Sequence, residues 1–501
     1  MTKPSFAEFK KLAKKGNLIP VYKEVLADQV TPVFAFRQLA ASGKDYAFLL
    51  ESVEGGEKIG RYSFVSAGPK IVFEGQGNKI KITENGKREE KTVESPLPEL
   101  KKILNRYKIA GHEDLPRFWG GAVGYIGYDA VRFFEKLPDT LPDTLKIPDS
   151  IFLVNKVILI FDHLRQSLLV VSNAFLDEKN NPEEIYQNCG QEIEQILNLL
   201  TRASTKSFDF LPEKNSLVRL PSVAPKESCS QQEFVQAVEK AKKYIHQGDV
   251  IQVVISQRWY REVHAPPFLI YRALRNVNPS PYMFHLRLNG FDLIGSSPEL
   301  LAAKEGDRAL LRPIAGTRPR GKTEEQDLQL EKELLADPKE KAEHIMLVDL
   351  ARNDLGRVCQ FGSVKVTDLM RIERYSHVMH IVSDVEGKLS PEYDAFDLFA
   401  ASFPAGTVSG APKIRAMEII EELESSRRGP YAGAVGFFGF EGNMEMAITI
   451  RTILLKDKVA YVQAGAGIVS DSQPLKEYQE SKNKAAALWK AIDFAESMKL
   501  K

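Results

Sequence analysis

The chain has 501 residues, with 68 Lys+Arg against 67 Asp+Glu, a formal net charge of +1, and 43% hydrophobic, 27% charged and 9% aromatic residues. Such a chain can bury its cores without staples, and at roughly 150 residues per domain its length fits two large domains or about three of ordinary size. A near-zero charge excludes bulk electrostatic binding of nucleic acid, no run approaches the ~18 apolar residues of a membrane-spanning helix, and three scattered cysteines (Cys189, Cys229, Cys359) build no disulfide framework.

The N-terminus, with Lys10, Lys11, Lys14 and Lys15 spread through it, lacks the apolar core of a signal peptide, so a cytoplasmic location is expected. The first half reads as strands joined by Gly/Asn turns. Lys70–Phe73 and Lys79–Thr83 flank Gly75-Gln-Gly-Asn78, a hairpin signal. Between about Ser204 and Ser230 the hydrophobic periodicity fades into Lys, Ser, Pro and Glu, which marks either the best domain boundary or a long surface loop. Past it, Ser230-Gln-Gln-Glu233 is a capping box for a helix that Gly248 ends. Asp249–Tyr260 alternates like a strand, and Tyr282–Leu288 with Phe291–Ile294 forms an antiparallel hairpin around Asn289-Gly290. Helices are predicted over 323–336, 338–351, 411–424 and 474–491. Gly121–Asp129 echoes Gly433–Glu441, which either equivalent Gly-aromatic strands in two related sheets or chance similarity between two Gly-rich strands would explain.

Three groups of residues carry chemistry. Gly316-Thr-Arg-Pro-Arg-Gly-Lys-Thr323 is a literal phosphate-loop match. Pro319 removes one backbone donor from it, and His344–Asp349 follows a helical pattern where a strand-end acid is needed. The expectation there is a loop entering a helix capped by Thr323, with a nucleotide-binding protein as the alternative of a different class. Glu340 with Glu343, and Glu477 with Glu480, are carboxylates three residues apart on predicted helices, so each pair shares a face. Brought together they would offer oxygen ligands suited to Mg²⁺. Taken alone, such pairs are usually solvated faces. The Gly-rich runs Phe403–Lys413 and Gln463–Ile468 allow backbone amides to approach an anion closely.

These residues carry a resemblance. Ile294-Gly-Ser-Ser-Pro-Glu-Leu300, Arg312–Gly321, Glu343–Asp354, Phe403–Lys413 and Gly465-Ala-Gly467 make residues 225–495 resemble the chorismate-binding domain shared by anthranilate, aminodeoxychorismate and isochorismate synthases. Leu49-Leu-Glu-Ser52 with Gly60-Arg-Tyr-Ser63 is similar to the N-terminal segment of anthranilate synthase component I. The resemblance implies an α+β fold of large, mostly antiparallel sheets packed together with helices outside. It also implies a regulatory region over 1–220 and a catalytic domain over 225–495. Isochorismate synthases place a water-activating lysine where this chain has Gln252, which cannot deprotonate water. Aminodeoxychorismate synthases often carry a nucleophilic lysine where this chain has Ala315. Ammonia is then the remaining nucleophile, and aminodeoxychorismate synthase component I is the alternative within the family.

By the same resemblance, Mg²⁺ sits between Glu343 and Glu480 with Glu340 and Glu477 supporting. Gly316, Thr317, Tyr431, Arg451, Gly465, Ala466, Gly467 and Lys484 hold chorismate. Glu299, Thr317 and His380 are the catalytic residues, with His377 the competing position for His380. Ser52, Pro281, Tyr282 and Met283 match an inhibitory tryptophan pocket. No cysteine lies in a G-x-C-x-G glutaminase motif, so a separate glutamine amidotransferase subunit is expected as partner, in a heterotetramer of two of each.

Overall fold

The computed structural model describes residues 1–41, 43–52, 60–177, 181–204, 223–375 and 378–498. Most of the expected boundary, and His377, lie outside the described residues. Within them the strands form two sheets of 12 strands each, with antiparallel pairing between neighbours.

Both sheets draw on both halves of the chain. The first runs from Leu18–Leu26 through Ser167–Phe175, Val157–Asp162, Tyr62–Ala67 and Tyr46–Glu51. It continues through Tyr282–Leu288, Phe291–Ser297, Thr452–Lys456, Val459–Ile468 and Gln252–Glu262. The second runs from Ile314–Pro319 through Val378–Lys388, Arg308–Leu311, Leu300–Glu305, Met444–Ile448 and Ala434–Gly439. It then continues through Gly121–Ile126, Ser150–Val154, Ile71–Gln76, Lys79–Glu84 and Lys87–Thr92. The halves join at two seams, where Leu50 pairs with Phe284 and Gly124 with Gly436.

The sheets pack face to face on Phe48, Phe64, Phe284 and Leu293 from one and Val123, Leu153, Val435 and Phe437 from the other. Helices Pro32–Ala40, Pro182–Ser204, Pro267–Val277 and Pro474–Ser497 cover the outer face of the first sheet through Phe36, Ile193, Leu274 and Leu488. Pro96–Leu104, Pro338–Gly356 and Ala395–Ser402 cover the second through Leu100, Val348, Leu355 and Phe399. At about 1.5–3 kcal/mol per buried large apolar side chain, these three layers of contact supply the driving force for folding. Among the described residues no helix is long and apolar enough to cross a membrane.

The local signals are met. Ser230 and Glu233 form the capping box of Gln231–Gln247, and Gly248 ends that helix at φ 84°. Thr323 and Asp337 cap Glu324–Ala336 and Pro338–Gly356. Both hairpins pair as expected. The internal echo has a different cause from the expected one: Gly121–Ile126 and Ala434–Gly439 are neighbours in one sheet, not counterparts in two. Their glycines make room for a third strand on either side. A Cβ on Gly124 would lie 1.8 Å from the Ile151 carbonyl oxygen, and one on Gly436 2.0 Å from that of Glu445.

Candidate active site

The phosphate-loop match does not form a cradle. Ile314–Pro319 is a strand, and the amides that follow are taken by the next helix. Gly321 N–H donates to Asp327 Oδ1 at 2.8 Å and Lys322 N–H to Gln326 Oε1 at 3.0 Å, while Arg320 clasps the Asp327 carboxylate. No set of free amides is left to converge on a phosphate.

A cavity of about 690 Å³ opens instead where the chain passes between the sheets. Glu299 lies at the crossing from Phe291–Ser297 in the first sheet to Leu300–Glu305 in the second. Arg451 lies at the return crossing, between Met444–Ile448 and Thr452–Lys456. Backbone bonds tie the crossings, Ile448 N–H to Glu299 O at 3.0 Å and Ser296 N–H to Arg451 O at 3.1 Å. Arg451 adopts φ 51°, a left-handed conformation that costs a non-glycine residue about 1–2 kcal/mol and that the two flanking strands impose.

The cavity gathers most of the residues singled out in the sequence: Glu299, Gly316, Thr317, His380, Tyr431 and Arg451 line it, as do Gly465, Gly467, Lys484 and all four glutamates. Ala466 is the exception. Side chains alternate along a strand, so its methyl turns to the other face, into the cluster of Phe234, Val253 and Ile255. The strand Thr452–Lys456 pairs only as far as Val462, which leaves the edge at 463–468 uncovered by sheet. Lys484 Nζ donates to Gly465 O there at 3.0 Å, and Arg451 Nη1 donates to Lys484 O at 3.2 Å. These two cations, the Tyr431 hydroxyl and glycine backbone make a wall suited to carboxylates.

Burial pushes the Glu299 carboxyl up to about 8, against the smaller opposing pulls of Thr407 and Lys484, so at neutral pH it holds a proton. His380 pairs across the sheet with Thr317. Its Nδ1 lies 3.0 Å from both Gly316 O and Thr317 Oγ1. A carbonyl only accepts, so the proton sits on Nδ1 and Nε2 keeps its lone pair. Burial, helped by Arg451, holds the ring below its ordinary value and therefore neutral near pH 7.

Burial raises Glu343, with Glu340 and Glu480 adding repulsion, and burial with Glu480 nearby raises Glu477. Two of the four carboxylates turn to cations of the chain, Glu340 to Arg318 at 2.9 Å and Glu480 to Lys484 at 2.7 Å. Among the described residues no three His, Cys, Asp or Glu side chains stand at ligating geometry. The donor chemistry nevertheless fits a hard divalent cation: oxygen only, four carboxylates on one cavity, mutually repelling. Gln252 Nε2 donates to Glu343 Oε1 at 3.2 Å, and its own Oε1 is buried without a partner. Gly467 gives that side chain its room, since a Cβ there would lie 2.4 Å from Nε2.

Sequence reasoning missed Thr407, Gln463 and Asn483, which also line the cavity. Thr407 sits inside the Phe403–Lys413 run that was read for its backbone alone. Gln463 likewise opens the run Gln463–Ile468 and its side chain went unread, and Asn483 carried no local signal.

Ser52, Pro281, Tyr282 and Met283 meet in a second cavity of about 260 Å³. The pairing of Met283 with Glu51 brings them together, and Val435, Phe437 and Glu445 of the second sheet close the far wall.

Comparison with known proteins decides the family. Residues 45–490 match the family described as chorismate binding enzyme. The chain belongs to that family. It is 49% identical to anthranilate synthase component 1 of Aquifex aeolicus, over 98% of each chain. With the same component of Acetivibrio thermocellus it shares 48%, over 98% of this chain and 99% of the relative. The crystal structure of anthranilate synthase component I from Streptococcus pneumoniae superposes with a TM-score of 0.74 at 36% identity, covering 93% of this chain and 99% of that one. The menaquinone-specific isochorismate synthase of Escherichia coli shares the fold, with a TM-score of 0.71 at 19% identity over 97% and 99% of the two chains. The expected α+β architecture is therefore the observed one, and the whole-length relatives stand with the anthranilate reading rather than the folate alternative.

Proposed function

We propose that the large cavity converts chorismate and ammonia to anthranilate and pyruvate through 2-amino-2-deoxyisochorismate, the committed step of tryptophan biosynthesis, in the cytoplasm. The observation that carries this reading is a buried Glu299, its carboxyl pushed up by that burial, sharing one cavity with Arg451, Lys484 and Gln252.

Arg451 and Lys484, with the Tyr431 hydroxyl and the backbone of Gly316, Gly465 and Gly467, hold the carboxylates of chorismate, the arginine as a planar fork and the lysine as a point charge. Glu299 gives its proton to the departing 4-hydroxyl while ammonia adds at C2. Gln252 offers no base, so water in the same place is not deprotonated and does not compete. Thr317 and neutral His380 stand together for the later elimination, where His380 Nε2 takes or returns a proton. Mg²⁺, which the glutamates Glu343 and Glu480 would hold with Glu340 and Glu477 in support, supplies positive charge against a substrate carboxylate.

The relatives are named as a component 1, which implies a second component. We assign that role to a glutamine amidotransferase, two copies of each subunit forming the assembly. The smaller cavity, at Ser52 and Pro281–Met283, is assigned to inhibitory tryptophan, with 1–220 as the regulatory region and 225–495 as the catalytic one.

One assay tests the core of this. Purified chain given chorismate, Mg²⁺ and ammonium at mildly alkaline pH is expected to release fluorescent anthranilate without any partner, and to stop when a chelator removes the metal. Chorismate consumed without anthranilate, or not consumed at all, overturns the reading.

A further inference from the structure

Behind the cavity, and not lining it, lies a buried guanidinium. Arg428 is 1% exposed and sits between helix Lys413–Leu423 and strand Ala434–Gly439. Its Nε and Nη2 donate to the two Glu424 oxygens at 3.0 and 2.6 Å. Nη1 donates to Val408 O at 2.6 Å and Nη2 to Val254 O at 2.8 Å. Glu424 Oε1 accepts in addition from the backbone N–H and hydroxyl of Ser256, each at 2.8 Å. That hydroxyl in turn accepts from Gln463 Nε2 at 2.9 Å. The guanidinium carbon is 4.6 Å from the ring centre of Tyr128 and 5.6 Å from that of Tyr431.

Four of the groups this pair reaches, Val254, Val408, Tyr431 and Gln463, line the cavity. They come from four remote stretches of chain: the strand Gln252–Glu262, the loop that carries Thr407, the turn before Ala434–Gly439 and the strand Val459–Ile468. A buried ion pair adds little net stability over an apolar substitute of the same shape, because desolvation consumes the Coulombic gain. What it does supply is geometry, since a planar fork bound at both edges has one orientation.

We infer that Arg428, held by Glu424, is a positioning residue for the amination proposed above: it locks Tyr431, Val408 with its neighbour Thr407, and Val254 into one frame, and its charge behind the Tyr431 ring strengthens that hydroxyl as a donor to the substrate carboxylate. The inference rests on that reading of the cavity. The ring of Tyr431 faces the cation at cation–π distance, and the loop carbonyl at Val408 is one residue from the hydroxyl beside Glu299.

A double-mutant cycle tests it, on the full chain with chorismate, Mg²⁺ and ammonium. Glu424→Gln keeps the volume and frees the fork; it is expected to raise KM for chorismate about 10-fold with a smaller fall in kcat, and Tyr431→Phe to do the same. The double variant should then lose clearly less than the product of the two single losses, because both changes act in part through the Tyr431 hydroxyl. Arg428→Lys, where it folds, should lose about 100-fold in kcat/KM, two carbonyl contacts and the fork together. A purely structural role predicts otherwise: a lower melting temperature, fewer active molecules, unchanged KM, and effects that multiply in the double variant. Any of unchanged KM or multiplying effects overturns the inference while wild-type anthranilate release stands. If the wild-type chain releases no anthranilate, the amination reading fails first and takes the inference with it.

Discussion

The two cavities are built from the same sheets by opposite means. The larger is walled by residues at the ends of strands and on helix faces, where the chain crosses between sheets, and it concentrates carboxylates, Arg451 and Lys484. The smaller lies between the sheets, where Phe64, Phe284, Val435 and Phe437 of the central core meet a charged rim of Glu51, Arg61, Arg117, Glu305 and Glu445. Chemistry thus sits where backbone direction changes and polar groups can be aimed. The proposed effector site sits where register brings two halves of the chain side by side. The strands lining the smaller cavity end at the larger one: Ala447 is followed by Ile450 and Arg451, Val435 is preceded by Tyr431, and Tyr282 pairs with Ser297 beside Glu299. A ligand that moved those strands would move the wall proposed for catalysis, which is the differential contact that coupling between sites requires.

The largest effect should come from breaking the chemical cavity alone. Glu299→Gln is expected to lower kcat for anthranilate release by about 10²–10⁴-fold, the range for loss of a general acid, while tryptophan binding persists by calorimetry. The same carboxyl sets the pH profile. With its value near 8, the wild-type rate per unbound NH3, rather than per total ammonium, should be flat below that and fall as pH rises through it, since only the protonated form donates; a rate per NH3 that is still undiminished above pH 9 would dismiss Glu299 as the acid.

Gly436→Ala should damage both cavities together. Its Cβ would press on the Glu445 carbonyl, and an overpacked strand costs about 1–3 kcal/mol. The urea midpoint should fall, and both activity and tryptophan response with it. Ser52→Ala touches only the small cavity. Inhibition by tryptophan is expected to weaken about tenfold, the cost of one or two lost polar contacts; undiminished wild-type activity in saturating tryptophan would remove the regulatory claim. The smallest effect is reserved for Lys322→Ala, which should leave anthranilate release within about twofold and change no nucleotide affinity, because an exposed lysine outside both cavities contributes little.

Much of this was legible in the chain, for reasons particular residues make plain. Capping at Ser230, Thr323 and Asp337 is local chemistry, and three-residue spacing put Glu340 with Glu343 and Glu477 with Glu480 on shared faces before any fold was known. The echo at Gly121 and Gly433 was seen but its cause was not, because adjacency within one sheet leaves the same mark as symmetry between two. Thr407 was passed over for its flanking glycines. Arg428 carried no signal, since nothing local says that a guanidinium is buried.

By itself, then, the sequence determined the elements, the class of ligand chemistry and, through its motifs, the family. Spacing within one helix or hairpin is set by backbone periodicity and needs no distant partner. Tertiary structure alone decided that the two Glu pairs share a cavity with Arg451, that Ser52 meets Met283 across a strand pair, and that Arg428 lies beneath Tyr431. Those are contacts between segments tens to hundreds of residues apart, chosen by which faces bury together and by the register of the sheets.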